Sequence, residues 1–235
     1  MYLSAIFVIF TTIMSTFAEI IYRYKNIRRE GIQSQSESLS DRLIANMING
    51  YRAKLIKQDF DKGKYVTGNL IQNLGKVELV QADKNECSIV NDCILRTKNA
   101  IPKAIDTNQN NLINYVGLLD GTQGFQRTTY QKAYYDQYAK YTGNLPKWYE
   151  LGNYIYIVNS PAKILKYINI QMIAEDPQEA KSFNACGNIS DCYEGFDFEY
   201  PMSETMVDTV LKMIAEEMRI VTNKPQDTLN NSKDD

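Results

Sequence analysis

The sequence predicts an α+β fold: an N-terminal helix pair, a central and mostly antiparallel β-core, a long C-terminal helix and an extended polar tail. Three observations carry that reading. Apolar residues recur at helical spacing near both ends of the chain, and short β-branched and aromatic runs punctuated by Gly, Asn, Asp and Pro fill the middle. From Gln226 onward the chain holds one apolar side chain, Leu229.

Met1 to Ala18 carry no charge, and the run includes Leu3, Ile6, Phe7, Val8, Ile9, Phe10 and Ile13. Thr16-x-x-Glu19 is a capping box, and Phe17, Ile20, Ile21, Tyr24 and Ile27 follow at helical spacing, which predicts a first helix over about 16–29. A helix that starts just after Met14 makes Met14 the expected natural start and residues 1–13 an upstream extension. The alternatives are a membrane or signal segment, though no Lys or Arg precedes the apolar run, and a buried apolar arm.

Gly31 to Ser38 is a Ser/Gln-rich connector, and Ser38-x-x-Asp41 offers a second capping box. Leu39, Leu43, Ile44, Met47, Ile48, Tyr51, Leu55 and Ile56 then form an apolar stripe on a helix that ends near Phe60, before Asp61-Lys-Gly63. The short connector predicts an antiparallel pair. In the middle, Val77–Val80, Ile94-Leu95, Ile113–Val116 and Gly124–Tyr130 read as strands, and Gln131–Tyr141 as a short helix or turn. Tyr154–Val158 and Ile164–Ile170 are the clearest strands, and their flanking of Asn159–Lys163 predicts a β-hairpin. Glu175–Ala180 marks the exit from the core. A third helix over about Ser203–Thr222 places Met206, Val207, Val210, Leu211, Ile214, Met218 and Val221 on one face and stops at Asn223-Lys-Pro225. The expected units are therefore 1–14 (apolar extension), 15–62 (helix pair), 63–200 (β-rich core), 201–224 (C-terminal helix) and 225–235 (flexible tail).

Composition narrows the function. The 235 residues are 44% apolar and 23% charged, an ordinary globular balance. Lys plus Arg number 26 against 28 Asp plus Glu, for a net charge of −2, which argues against a dedicated nucleic-acid clamp. There is no histidine, so Ser-His-Asp and Cys-His catalysis, imidazole acid–base work and His-ligated metals are excluded.

The residues offer no catalytic, cofactor-binding or metal-binding set. Cys87/Cys93 and Cys186/Cys192 share a C-x5-C spacing, outside the usual zinc-knuckle range; they read as free thiols, with a four-thiolate cluster or disulfide loops as alternatives. Gly121-Thr-Gln-Gly124 lacks the Lys-Ser/Thr of a phosphate loop and reads as a turn. Glu86, Asp92, Glu175, Asp176 and Glu179 sit in polar connectors where carboxylates are simply solvated, which leaves a carboxylate-based hydrolase without a convergent motif. Arg23, Lys25, Arg28 and Arg29, interleaved with Tyr22 and Tyr24, form a basic cluster that reads first as a solvated helix face and second as a contact for nucleic acid or an acidic partner. The tyrosines carry more signal. Nine of seventeen (Tyr130, Tyr134, Tyr135, Tyr138, Tyr141, Tyr149, Tyr154, Tyr156 and Tyr167) lie with Trp148 in one stretch, and such side chains suit protein–protein interfaces.

Several stretches, read in order, resemble one family. They are Ser40–Ile44 with Tyr51–Ile56, Leu74–Leu79, Cys93–Lys98 with Ile101–Lys103, Lys140–Gly143 with Leu145–Lys147, Gly152–Ile157, Phe198–Pro201 and the tail Asn230–Asp235. The chain resembles the structural ring proteins of the head–tail connector and tail barrel in crAss-like and related short-tailed bacteriophages, over about residues 15–235. Each motif is weak alone; their order and coverage carry the likeness. The resemblance implies a non-enzymatic virion protein without cofactors, assembled in the host cytoplasm into a homomeric, dodecameric ring at the head–tail junction or tail. Its implied partners are copies of itself, the portal, adjacent tail ring or hub proteins and, transiently and without sequence preference, translocating DNA, with no membrane. The alternative from another class is a membrane-anchored accessory protein that uses residues 1–18 as its span.

Overall fold

The computed structural model describes residues 15–28, 39–64, 68–82, 94–108, 110–136, 138–158, 165–185 and 195–222. The expectations for the apolar extension, the Gly31–Ser38 connector, the tail and all four cysteines fall outside these residues.

Helix α1 (Phe17–Arg28) begins on the expected capping box: the Glu19 amide donates to Thr16 Oγ1 (3.2 Å) and the Thr16 amide donates to the Glu19 carboxylate (3.0 Å). Helix α2 (Asp41–Asp61) is capped by Ser40, whose hydroxyl accepts the Leu43 amide at 3.2 Å. The sequence pattern put that cap at Ser38, two residues early, because Ser38 and Ser40 are equally good cap residues. The apolar stripes bury Phe17, Ile20, Ile21 and Tyr24 from α1 and Ile44, Ala45, Ile48 and Ile56 from α2. Ile27 and Leu43, counted in those stripes, are exposed: each lies at a helix end where the stripe has rotated off the contact.

The described strands form one seven-stranded sheet in the order β3 (Ile113–Gly117), β7 (Tyr167–Met172), β1 (Gln72–Gln81), β2 (Leu95–Thr97), β6 (Tyr154–Val158), β5 (Lys147–Leu151) and β4 (Gln126–Arg127). Every pairing is antiparallel except β4 with β5. The two edges meet through a bridge between Gly117 and Gly124, with the Phe125 amide donating to the Val116 carbonyl at 2.7 Å, so the sheet nearly closes on itself. Leu74, Val77, Leu79, Leu95, Val116, Phe125, Trp148, Ile155, Ile157, Ile168, Ile170 and Met172 fill its interior. Full burial of an aliphatic side chain contributes about 1.5–3 kcal/mol, so this cluster dominates the stability of the core.

The pairing corrects the hairpin expected across Asn159–Lys163. β6 pairs with β2 and β5, and β7 pairs with β1 and β3, so the two clearest strands are not neighbours. The true hairpin is β5–β6, turned by Gly152-Asn153 with φ of 59° and 63°. A two-residue turn with both φ positive matches strand twist, and Gly and Asn are among the residues that tolerate it. The expected Gly124–Tyr130 strand is likewise only Gln126–Arg127; helix α3 (Tyr130–Asp136) takes over at Tyr130. Helix α4 (Pro177–Ala185) occupies the expected exit and packs on β1.

Helix α5 (Glu204–Thr222) lies against α1 and α2, with Val207, Val210, Leu211 and Ile214 buried beside Phe17, Ile20, Ile44, Ile48, Phe198 and Tyr200. Arg52 of α2 locks this helical layer to the sheet. Its side chain is 0% exposed; Nε donates to the Pro201 carbonyl (3.1 Å) and Nη1 to the Ala174 carbonyl (2.9 Å). Its guanidinium lies 5.7 Å from the Tyr200 ring centroid, and the Tyr200 hydroxyl donates to Asn49 Oδ1 at 2.6 Å. Burial pushes the Arg52 pKa down and the Tyr200 pKa up.

Candidate functional site

The tyrosine-rich stretch divides into an inner and an outer set. Tyr149 and Tyr156 are buried and stacked with centroids 5.1 Å apart, Tyr130 meets Tyr149 edge-on at 5.6 Å, and Trp148 donates its indole N–H to the Phe125 carbonyl at 3.1 Å. These rings are core. Tyr135, Tyr138 and Tyr141 are instead 72%, 71% and 85% exposed, with Leu145 also exposed beside them in sequence. The interface expectation therefore narrows to α3 and the turns that follow it.

That surface is firmly mounted. Thr129 starts α3 by accepting the Lys132 amide on its hydroxyl (3.3 Å), and Ala133 is fully buried in the cluster of Ala82, Ile94, Tyr149, Tyr156 and Val158. At the end of the helix, Asp136 accepts the Thr128 hydroxyl at 2.5 Å and the Lys147 ammonium at 3.2 Å, all three side chains belonging to buried residues. Burial disfavours the charged carboxylate, but the Thr128 hydrogen bond and the Lys147 charge outweigh it and hold the Asp136 pKa below the ordinary range. Beyond Asp136, bonds from the Tyr138, Ala139, Gly143 and Leu145 amides to the Tyr135, Asp136, Ala139 and Thr142 carbonyls shape the chain. Lys140 lies over the Tyr141 ring, 5.3 Å from its centroid. Sequence reasoning missed the Asp136–Lys147 pair, since neither residue breaks a helical or strand pattern.

The basic cluster of α1 resolves into local ion pairs. Arg23 meets Glu204 at 2.7 Å, Glu204 also accepts the Ser15 hydroxyl, and Lys25 pairs with Asp41. The Ser15 bond first and the Arg23 bond second hold the Glu204 pKa down. Arg29 falls outside the described residues, as do Glu86 and Asp92. Gly121–Gly124 is a turn beside the sheet closure, with Asp120 accepting the Thr122 amide (3.1 Å) and hydroxyl (2.8 Å). Glu175 pairs with Lys103 at 2.9 Å and Asp176 accepts the Gln178 amide at 2.9 Å; burial, then the neighbouring Asp176 and Glu175, raise the Glu179 pKa. Among the described residues, no group of three Cys, Asp or Glu side chains is placed to hold a metal ion, and no helix is long and apolar enough to cross a membrane. A cleft of about 370 Å³ beside α3, lined in part by Arg127, Thr129, Tyr130 and Glu150, assembles no nucleophile with a base. What the arrangement supports is recognition through exposed rings on a rigid base.

No curated protein matches the chain. Residues 19–235 match a family model described as phage tail ring protein 2.

Proposed function

The chain belongs to the phage tail ring protein 2 family and is thus a structural component of a bacteriophage tail, and from that premise we propose that its copies close into a homomeric ring around the DNA exit channel. The near-complete match over residues 19–235 carries this reading. The ring is dodecameric, lines or seals the channel at the head–tail junction, and stacks on the portal or on an adjacent tail ring or hub protein. It assembles in the host cytoplasm and performs no catalysis.

The electrostatics support the channel role. A passage that clamped DNA through unpaired cations would hinder sliding, because each phosphate neutralised strengthens binding. The chain carries a net charge of −2, and Arg23 and Lys25 of its α1 cluster are paired with Glu204 and Asp41. Contact with translocating DNA is then transient and blind to sequence.

Mass photometry of the purified full chain, alone and with the portal and tail proteins of the same particle, tests the proposal. The expected result is a closed species of twelve copies of 27.0 kDa, formed alone or on the partner. A monomer that persists at every concentration and beside every tail component overturns it.

A further inference from the structure

We propose that the surface of α3 and its following turns is the seat for the acidic segment 226–235 of a neighbouring copy. This rests on the ring reading, since the occupant comes from a second chain. Between Gln126 and Lys147 the exposed charges are all positive: Arg127, Lys132 and Lys140. The single acid of that stretch, Asp136, is buried and neutralised by Lys147. No described carboxylate forms an ion pair with Lys132 or Lys140. The surface thus presents Lys132 and Lys140 with the rings of Tyr135, Tyr138 and Tyr141 and no exposed acid in that stretch of sequence. Arg127 donates to the Asn111 carbonyl at 3.1 Å, lies over Trp148 and shares a cleft with Glu150.

Segment 226–235 has the complementary chemistry. It contains Asp227, Asp234 and Asp235 against Lys233, a net charge of −2, with Leu229 as its one apolar side chain and amides at Gln226, Asn230 and Asn231. Its carboxylates suit the lysines, its leucine suits a ring face, and its amides suit tyrosine hydroxyls. The segment follows α5, which belongs to the helical layer, while α3 belongs to a separate cluster on the sheet. A closed ring needs a heterologous contact, in which two different surfaces of one chain meet their complements on its two neighbours. An aromatic and basic seat at α3 and an acidic segment after α5 form such a pair. Cations interleaved with tyrosines also suit a single nucleic-acid strand, but the complement for this surface is already encoded in the same chain.

The test places a photo-crosslinking benzoylphenylalanine at position 141 of the full chain, where an exposed ring is replaced by an exposed ring. Isotopically heavy and light copies are mixed, assembled and irradiated with a single-stranded oligonucleotide present; mass photometry of the same sample reports the assembly. The proposal expects crosslinks from position 141 to residues 226–235 that join heavy to light copies. Lys132→Glu with Lys140→Glu should lower their yield tenfold or more, and Asp234→Lys with Asp235→Lys on that background should restore it. A ring that forms with position 141 crosslinked elsewhere, to its own chain or to the oligonucleotide, overturns the proposal and leaves the ring reading standing. Absence of any assembly overturns the ring reading, and the proposal with it.

Discussion

Lys147 and Asp136 meet as a buried ion pair, 3.2 Å apart, between the sheet and the end of the helix that presents the exposed tyrosines. The carboxylate also accepts the Thr128 hydroxyl, so the segment before α3, the end of α3 and the start of β5 converge on one acid. Such a network fixes α3 in a single orientation, because any other would leave a charge buried without a partner.

Removing one member should therefore cost far more than removing both. Lys147→Met should lower the stability of the chain by about 3–5 kcal/mol, and adding Asp136→Leu should recover most of that loss. Urea unfolding of the two variants checks the difference. The pair also gives an acid limb to stability: the Asp136 pKa is depressed in the folded chain, below an unfolded value of about 3.9. Its contribution is complete above about pH 4 and is lost as pH falls through the folded value. The double variant should show a shallower decline below about pH 4 than the parent.

Arg52 is the second buried cation, and its partners are carbonyls rather than a carboxylate. Arg52→Ala should destabilise the chain by about 3–5 kcal/mol, since the Pro201 and Ala174 carbonyls lose their donors and a cavity opens between the layers. Arg52→Met, which keeps the stem, should lie between the two, and thermal unfolding orders the three chains.

Gly117 stands where the sheet closes on itself. A Cβ at that position would collide with the Gln123 carbonyl oxygen and the Tyr115 hydroxyl. The backbone atom cannot yield as a flexible side chain can, so Gly117→Ala should cost about 1–3 kcal/mol and loosen the Gly117–Gly124 bridge. Hydrogen exchange at the Phe125 and Leu118 amides, bonded to Val116 and Gln123, should accelerate first.

Truncation after Pro225 should leave the thermal midpoint of the monomer unchanged and weaken assembly. The removed segment has Leu229 alone to bury, worth about 2 kcal/mol at most, and the described cores are complete without it. Sedimentation of both forms with the portal complex measures the loss.

Much of the fold was legible where the information is local. The Thr16–Glu19 box and the stripes of α1 and α2 follow from spacing alone, and so do the positions of β1, β2, β3, β6 and β7, whereas β5 (Lys147–Leu151) was not anticipated. Strand partners were not legible. Alternation reports which face is buried and says nothing of which strand covers the edge, so proximity in sequence suggested β6 beside β7, when β2 and β5 flank β6 and β1 and β3 flank β7. The candidate surface was half legible: tyrosine density marked the stretch, but only burial separated Tyr149 and Tyr156, which are core, from Tyr135, Tyr138 and Tyr141, which are exposed. Lys147 gave no signal at all, because lysine is a residue type almost never fully buried unless paired, and nothing local in the sequence places Asp136 beside it.

The most direct measurement of the central claim is a cryo-EM map of the assembled phage tail, with this chain located by its fold. The account predicts a closed ring of identical copies around the DNA channel, each helical layer approaching the α3 surface of the next copy. A tail in which the chain occurs as a single copy, or as copies that do not touch one another, would contradict it.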